Sequence, residues 1–398
     1  MMEKFNSRVA YISYADYGGP LVHTKEFINA FRKFVPDLAT YCPHMEKDLS
    51  YVGPGKESFF NKLFAYFPSW SRQLKLEFYQ FRKLLRDWVK WPTFSDFYLK
   101  NSVDIVVVRS DAFVMGPIYA AKKQGIPYLL EVNGILYKHE PDQVTKKFEK
   151  YILARAAGIF VVCDPLVTLL LNLDVPRDRI RVIPNGVRIE NFQTPDISAV
   201  PSALCHKLKD KIVVGYIGTF TLYHDMYALI SGFAEAVEKI PSLCLLLIGE
   251  GELTKETKEK VTDLCIEDSV FFTGKVSHEY IPSYLHLCSI LVNPMQSIYK
   301  EVFHGAPIKM FEYMAAKKPI ISTDLQSLRH FLDDTAIFVC PGDATAWRDA
   351  LITLARDGKL RHKQGIKAFE HLVKCGYTWE ENARKVFEYC KEILSVSI

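Results

Sequence analysis

No run of about 18 apolar residues occurs anywhere in this 398-residue chain, so no segment reads as a membrane-spanning helix and any membrane contact is expected to be peripheral. No Cys-x-x-Cys occurs, and no two histidines stand at a zinc spacing. The nearest pair, His286 and Cys288, lacks further ligands, so no metal centre is expected. No Gly-x-Gly-x-x-Gly follows the first strand pattern, which argues against a nicotinamide dehydrogenase. Charge of one sign is scarce too: 50 Lys and Arg against 46 Asp and Glu leave +4, too little to argue for nucleic acid. The nine cysteines are odd in number and sit mostly in apolar runs such as Phe160-Val161-Val162-Cys163, as reduced core thiols do. The start, Met1-Met2-Glu3-Lys4-Phe5-Asn6-Ser7-Arg8, lacks the apolar run of a signal peptide. A cytoplasmic protein is expected, with the inner face of the membrane as its one candidate docking place.

What is present is an alternation of short apolar runs and longer helical patterns. In the first half the runs cover residues 9–13, 105–108, 128–132, 159–162 and 180–183; in the second, 212–217, 245–248, 270–272, 290–292, 320–322 and 336–339. Continuous apolar strands between helices predict parallel sheets covered on both faces, and two such series predict an α/β chain of two doubly wound domains. Pro184-Asn185-Gly186-Val187 and the polar, proline-containing stretch that follows mark the junction. The predicted domains are residues 1–190 and 191–378, with a last helix over about 379–398. Residues 56–100 are both aromatic and basic, with nine Lys and Arg against four Asp and Glu. That is the composition of helices lying on an anionic lipid surface, and also of helices that cover a sheet and show their lysines to water.

The most informative segment runs from His304 to Ala316. A Gly305-Ala306-Pro307 turn opens a helix at Ile308, and Lys309 and Glu312 share a face of its first turn. Free N–H groups at a helix start attract an anion, a lysine strengthens the pull, and a carboxylate one turn on accepts from vicinal hydroxyls. Together they suit a ribose diphosphate; taken alone, the segment also fits an ordinary amphipathic helix. Ligands of open α/β sheets sit beyond the carboxyl ends of the strands, which directs attention to the loops there. Gly18-Gly19 follows the first strand and lets a backbone approach a bulky anion. Glu131 and Asn133 follow the third, where they would grip sugar hydroxyls or serve as structural polar groups. The strand ending at Ile217 is followed by Gly218, Thr219 and His224, a possible phosphate cradle, and Gly274, Lys275 and Val276 present backbone able to read a base edge.

In order and spacing these motifs resemble glycosyltransferase family 4, the retaining group with the GT-B fold of two facing Rossmann-like domains. The likeness extends over Gly18-Gly19, Ile183 to Val187, Gly215 to Phe220, Gly249-Glu250-Gly251, Phe272 to Val276, Asn293-Pro294, Lys309 to Ala315 and Tyr377 to Glu380. It implies that the first domain, 1–190, is the acceptor domain, that the second, 191–378, is the nucleotide-sugar donor domain, and that the last helix crosses back to the first. It also implies that Glu312 holds the donor ribose, that backbone at Gly274 and Val276 holds the base, and that Gly19, Gly305 and Ala306 hold the diphosphate or sugar. Two positions depart from the pattern. Thr219 and His224 stand where the family often has an Arg and a Lys, and His304 stands where a Glu commonly precedes the ribose-binding Glu by eight residues. The chain resembles a branch with Pro307-Ile308-Lys309 before the Glu, in which Lys309 and His224 supply the missing positive charge; His224, mostly neutral at pH 7 at an ordinary pKa of about 6.5, would act as a donor or become charged only beside the phosphates.

The function this implies is transfer of a hexosyl unit, with retention, from a nucleotide diphosphate sugar to a hydroxyl of a glycan or lipid-linked acceptor, in the making of surface polysaccharide or glycolipid. No cofactor is expected. No Asp-x-Asp occurs, which removes the usual metal handle of the other common glycosyltransferase fold. Two alternatives stay open: a noncatalytic partner subunit that keeps the fold, motivated by Thr219 and His304, and a nucleotide-sugar epimerase.

Overall fold

The computed structural model describes residues 7–16, 18–45, 69–110, 112–136, 142–296 and 306–396. The first sheet holds β1 (Val9–Ile12), β2 (Ala39–Tyr41), β3 (Ile105–Arg109), β4 (Tyr128–Val132), β5 (Gly158–Val161) and β6 (Ile180–Val182). The second holds β7 (Ile212–Ile217), β8 (Leu243–Ile248), β9 (Val270–Gly274), β10 (Ile290–Asn293), β11 (Ile320–Thr323) and β12 (Ala336–Val339). The helices of the first half are α1 (Gly18–Phe31), α2 (Ser69–Trp88), α3 (Trp91–Lys100), α4 (Met115–Lys123), α5 (Gln143–Arg155) and α6 (Asp164–Leu171). After α7 (Ser202–Leu208) come α8 (Met226–Lys239), α9 (Thr254–Asp263), α10 (Ile281–Leu287), α11 (Ile308–Ala315), α12 (Gln326–Leu332), α13 (Ala344–Arg356), α14 (Gly358–Cys375) and α15 (Trp379–Val396).

Both sheets are parallel throughout, in the orders β2-β1-β3-β4-β5-β6 and β12-β11-β10-β7-β8-β9. The apolar runs predict this, since β3 (Ile-Val-Val-Val-Arg) and β8 (Leu-Cys-Leu-Leu-Leu-Ile) are buried on both faces. The structure adds β2, three half-buried residues whose Ala-Thr-Tyr lacks the apolar signal of a central strand because it lies at the sheet edge. Each sheet reverses its winding once, between β1 and β3 and between β7 and β10. Those reversals are where helices diverge to opposite faces and leave a crevice at the strand ends.

The last helix, α15, packs on α1, with Trp379, Ala383, Val386 and Cys390 in one core with Val9, Tyr11, Phe27 and Phe31. The chain therefore returns to its first sheet after completing the second. Of the aromatic, basic segment, residues 56–68 lie outside the described residues. Phe94 and Tyr98 on α3 are fully buried, and the Tyr98 hydroxyl donates to the Pro117 carbonyl, 3.1 Å away. Helix α2 differs: Leu74, Phe78, Phe81 and Leu85 follow helical spacing along it and are exposed. Among the described residues, no helix is long and apolar enough to cross a membrane.

Candidate active site

The winding reversal of the second sheet brings together the loop after β7 and the start of α11. Lys309 Nζ lies 2.9 Å from His224 Nε2 and 4.7 Å from the centre of the Tyr216 ring. An ammonium has no lone pair, so when Lys309 is charged His224 Nε2 accepts and Nδ1 carries the proton, facing Thr221 Oγ1 at 3.2 Å. Burial, only partly offset by the Glu312 carboxylate, lowers the Lys309 pKa to about 7. Burial and then the Lys309 charge hold His224 well below its ordinary range. The pair therefore carries at most one positive charge, on Lys309, and His224 orients it. Two cations at hydrogen-bond distance repel, so in the free protein His224 is the uncharged partner of the pair.

Helix α11 begins at Ile308 after Pro307, and among the described residues no side chain caps it. Its counterpart α8 is capped, since Asp225 accepts from Ala228 N at 3.2 Å and from Gly342 N at 2.7 Å. Of the two helix starts at the crevice, the one beside Lys309 is thus the one open to an anion. One turn on, Glu312 is almost fully buried, and its Oε1 lies 2.6 Å from His278 Nε2. Burial pulls the His278 pKa down, but the Glu312 carboxylate outweighs it and the net shift is upward. His278 follows the Gly274-Lys275-Val276 turn at the end of β9, and it is a site residue that the sequence reading missed. Any polar residue within four positions of a carboxyl strand end was the available signal.

The glycines here are set by close approach. Gly218 has φ +147°, and a β-carbon on it would lie 2.9 Å from the Tyr216 hydroxyl and 3.4 Å from Lys309 Nζ. Gly249 has φ +122°, and its β-carbon would strike the Gly218 carbonyl oxygen at 2.2 Å. Gly249 N donates to the Gly274 carbonyl at 3.0 Å, which ties the loops after β8 and β9 together. Thr219 accepts the Tyr216 hydroxyl on its carbonyl at 3.2 Å, and Lys275 pairs with Glu250 at 3.3 Å. Gly218, Thr219, Lys275, Val276 and His278 line a cleft of ≈ 130 Å³ whose other wall is Gly18 and Val22 from α1. Gly18 and Gly19 have open space where side chains would stand. Ala306 is buried, and its carbonyl accepts from Asn185 Nδ2 at 2.9 Å, while Ile308 packs against the core of the first sheet. His304 and Gly305 lie outside the described residues.

Glu131 is not at the lip of the first sheet. It lies within β4, has no exposed surface, and receives Tyr11 Oη (2.8 Å), His23 Nε2 (2.7 Å), Arg109 Nη1 (2.6 Å) and Asn133 Nδ2 (2.7 Å). Burial alone would raise its pKa; His23 and Arg109 more than reverse this and hold it far below the carboxylate range. Of the two readings left open, the buried Glu131 carboxylate takes the structural one, which removes it from a grip on sugar hydroxyls, while Asn133, half-exposed beyond it, donates to it through Nδ2. His23, also missed, interrupts the apolar side of α1 four residues before Phe27 and meets Trp379 edge to face at 4.8 Å. Among the described residues, no group of three or more His, Cys, Asp or Glu is placed to hold a metal ion.

Two family models match the chain side by side: Glycosyltransferase Family 4 over residues 17–191 and Glycosyl transferases group 1 over residues 206–371. Among relatives, the chain is similar to the alpha-D-kanosaminyltransferase of Streptomyces kanamyceticus, 22% identical over 273 residues, 65% of this chain and 69% of that one. It is also similar to the phosphatidyl-myo-inositol mannosyltransferase of Mycobacterium leprae, 25% identical over 207 residues; that alignment spans about half of each, 51% of this chain and 51% of the relative. Among solved structures, the fold matches Anabaena HepE in complex with UDP-glucose with a TM-score of 0.70, at 13% identity, over 97% of this chain and 99% of that one. A region matching the family 4 model is thus followed by one matching the group 1 model, both glycosyltransferase models, on two parallel six-stranded sheets that have the GT-B fold.

Proposed function

We propose that this protein transfers a hexosyl unit, with retention at the anomeric carbon, from a nucleotide diphosphate sugar to a hydroxyl of a glycan or lipid-linked acceptor. The observation that carries the reading is Lys309 beside the uncapped start of α11, with Glu312 one turn on, at the winding reversal of the second sheet. As the bond from the anomeric carbon to the diphosphate breaks, the electron pair leaves with the phosphate oxygen and the sugar becomes oxocarbenium-like. Fixed positive charge at that oxygen lowers the barrier. The acceptor hydroxyl attacks from the face the diphosphate leaves, and its proton passes to the departing oxygen. Glu312, oriented by His278, receives the ribose hydroxyls, and the turn at Gly274 to Val276 faces the base. The likeness to enzymes named for kanosaminyl and phosphatidylinositol mannosyl transfer supports sugar transfer and allows a lipid acceptor. The exposed apolar line of α2 supports contact with a membrane surface on the cytoplasmic side.

Titration of UDP, GDP and ADP by calorimetry tests the donor site. One nucleotide is expected to bind clearly, and Glu312→Ala is expected to weaken it by about 2 kcal/mol through loss of charged hydrogen bonds. Binding that is unchanged in the variant would remove the site from α11, and no binding by any of the three would favour a noncatalytic partner subunit. The reading needs no metal, because the positive charge is supplied by Lys309 and backbone N–H groups. Transfer is therefore expected to continue in EDTA, and its loss there with rescue by manganese alone would contradict the mechanism.

A further inference from the structure

We propose that the first domain holds a second anion site, for a phosphate monoester or diphosphate carried by the acceptor, in the cavity between α2 and the first sheet. This rests on the reading of that domain as the acceptor side. The cavity, ≈ 310 Å³, is separate from the donor cleft and is lined by residues following β1 (Tyr14), β3 (Ala112, Phe113) and β4 (Leu136). It therefore stands at the carboxyl ends of the strands, where open α/β sheets hold ligands. Its far wall is basic: Lys83, Arg86 and Lys90 face it at spacings of three and four residues, and His44 joins them.

Among the described lining residues the only carboxylate is Asp87, so three cations less one anion leave +2. Asp87 is already engaged, accepting the Tyr14 hydroxyl at 2.9 Å and Gly116 N at 2.8 Å. It fixes Tyr14 and the first turn of α4, while Lys90 Nζ lies over the Tyr14 ring at 5.6 Å and Lys83 Nζ over the Tyr79 ring at 4.8 Å on the wall of the cavity. A phosphate matches such a wall because Arg and Lys donate several charge-assisted hydrogen bonds to its oxygens. The β1–α1 loop connects Tyr14 to Gly18 of the donor cleft four residues on, so a group anchored here can extend its hydroxyl toward the donor. The phosphate is either free on a soluble sugar or borne by a lipid whose chain lies along the neighbouring exposed Phe78, Phe81 and Leu85.

Calorimetric titration of inorganic pyrophosphate, with the donor site saturated by the nucleotide that binds it, decides the matter. Pyrophosphate is expected to bind wild type and Glu312→Ala alike, and at least tenfold more weakly to Lys83→Ala/Arg86→Ala. Nucleotide binding by that double variant is expected to be unchanged, which reports that it folds. Pyrophosphate binding that the nucleotide abolishes, or that the double variant retains in full, would overturn the proposal. If no nucleotide binds but pyrophosphate still needs Lys83 and Arg86, the donor-site reading fails and the anion site stands.

Flotation with phosphatidylcholine vesicles containing a polyprenyl diphosphate separates the two sources. Capture that exceeds phosphatidylglycerol vesicles of equal charge, and is lost in the double variant, identifies a lipid-borne phosphate. Pyrophosphate binding without such capture identifies a soluble phosphorylated acceptor. Equal capture by both vesicles together with no pyrophosphate binding reduces the basic wall to surface attraction and overturns the site.

Discussion

Replacing Lys309 by Met is expected to lower kcat/KM by about 10²–10³-fold, the loss seen when one preorganised charge or donor is removed from a developing oxyanion. The substitution keeps the length of the side chain, so its packing over Tyr216 survives while its charge does not. The same lysine predicts a proton count. In the free protein its pKa is about 7, so near pH 8 it is mostly neutral; a bound diphosphate restores the charge. Nucleotide binding at pH 8 is then expected to take up close to one proton in the wild type and none in Lys309→Met, read by calorimetry in buffers of different ionisation enthalpy.

The sign for affinity follows: the lysine contribution is full below pH 7 and declines as pH rises above it. For stability the direction is opposite. The folded pKa lies below the unfolded value of about 10.4, so the unfolded chain holds more protons between the two and this group's contribution to stability rises with pH across that window. Lys309→Met is accordingly expected to melt no lower than wild type near pH 7 while losing turnover. A variant that loses both would mean that the lysine serves folding. One that keeps turnover would mean that the leaving phosphate is stabilised elsewhere.

The fold was legible because its strands are apolar without interruption and its helices are not. β3 and β8 needed only burial on two faces to be recognised, while the polar edge strand β2 had no such signature. The site was legible where chemistry and local spacing coincide: Lys309 and Glu312 share one helical turn, and Gly218 and Gly249 mark backbone approach. It was illegible where partners are remote in sequence. Nothing local says that Glu131 is enclosed by Tyr11, His23 and Arg109, residues up to 120 positions away. A carboxylate near a strand end reads the same whether it points at a ligand or at a buried cation. Likewise, nothing local says that His224 lies at hydrogen-bond distance from Lys309, 85 residues later.

Gly186→Ala is expected to cost about 3 kcal/mol of stability, at the upper end for overpacking, because the obstruction is backbone and no rotamer relieves it. A β-carbon there would lie 2.2 Å from the Thr378 carbonyl carbon and 2.4 Å from Trp379 N. This is the point at which the outgoing chain, after Pro184, meets the returning chain before α15. Val187 N donates to the Tyr377 carbonyl at 3.1 Å, and Asn382 Nδ2 donates to the Pro184 carbonyl at 2.6 Å. Beside it, Asn185 Nδ2 holds the Ala306 carbonyl at 2.9 Å, just before the helix that carries Lys309 and Glu312. A shift at Gly186 is therefore carried to the relation between the two sheets and, through Asn185, to the start of α11, while the loops that hang from β7, β8 and β9 are spared. Denaturant unfolding is expected to show the loss of stability. Under conditions where the variant remains folded, nucleotide binding should fall less than transfer, which falls at least tenfold, since alignment of acceptor with donor is what a small displacement removes. Equal loss of binding and transfer would place the damage in the donor loops, and wild-type stability would mean that the crossing chains yield without cost.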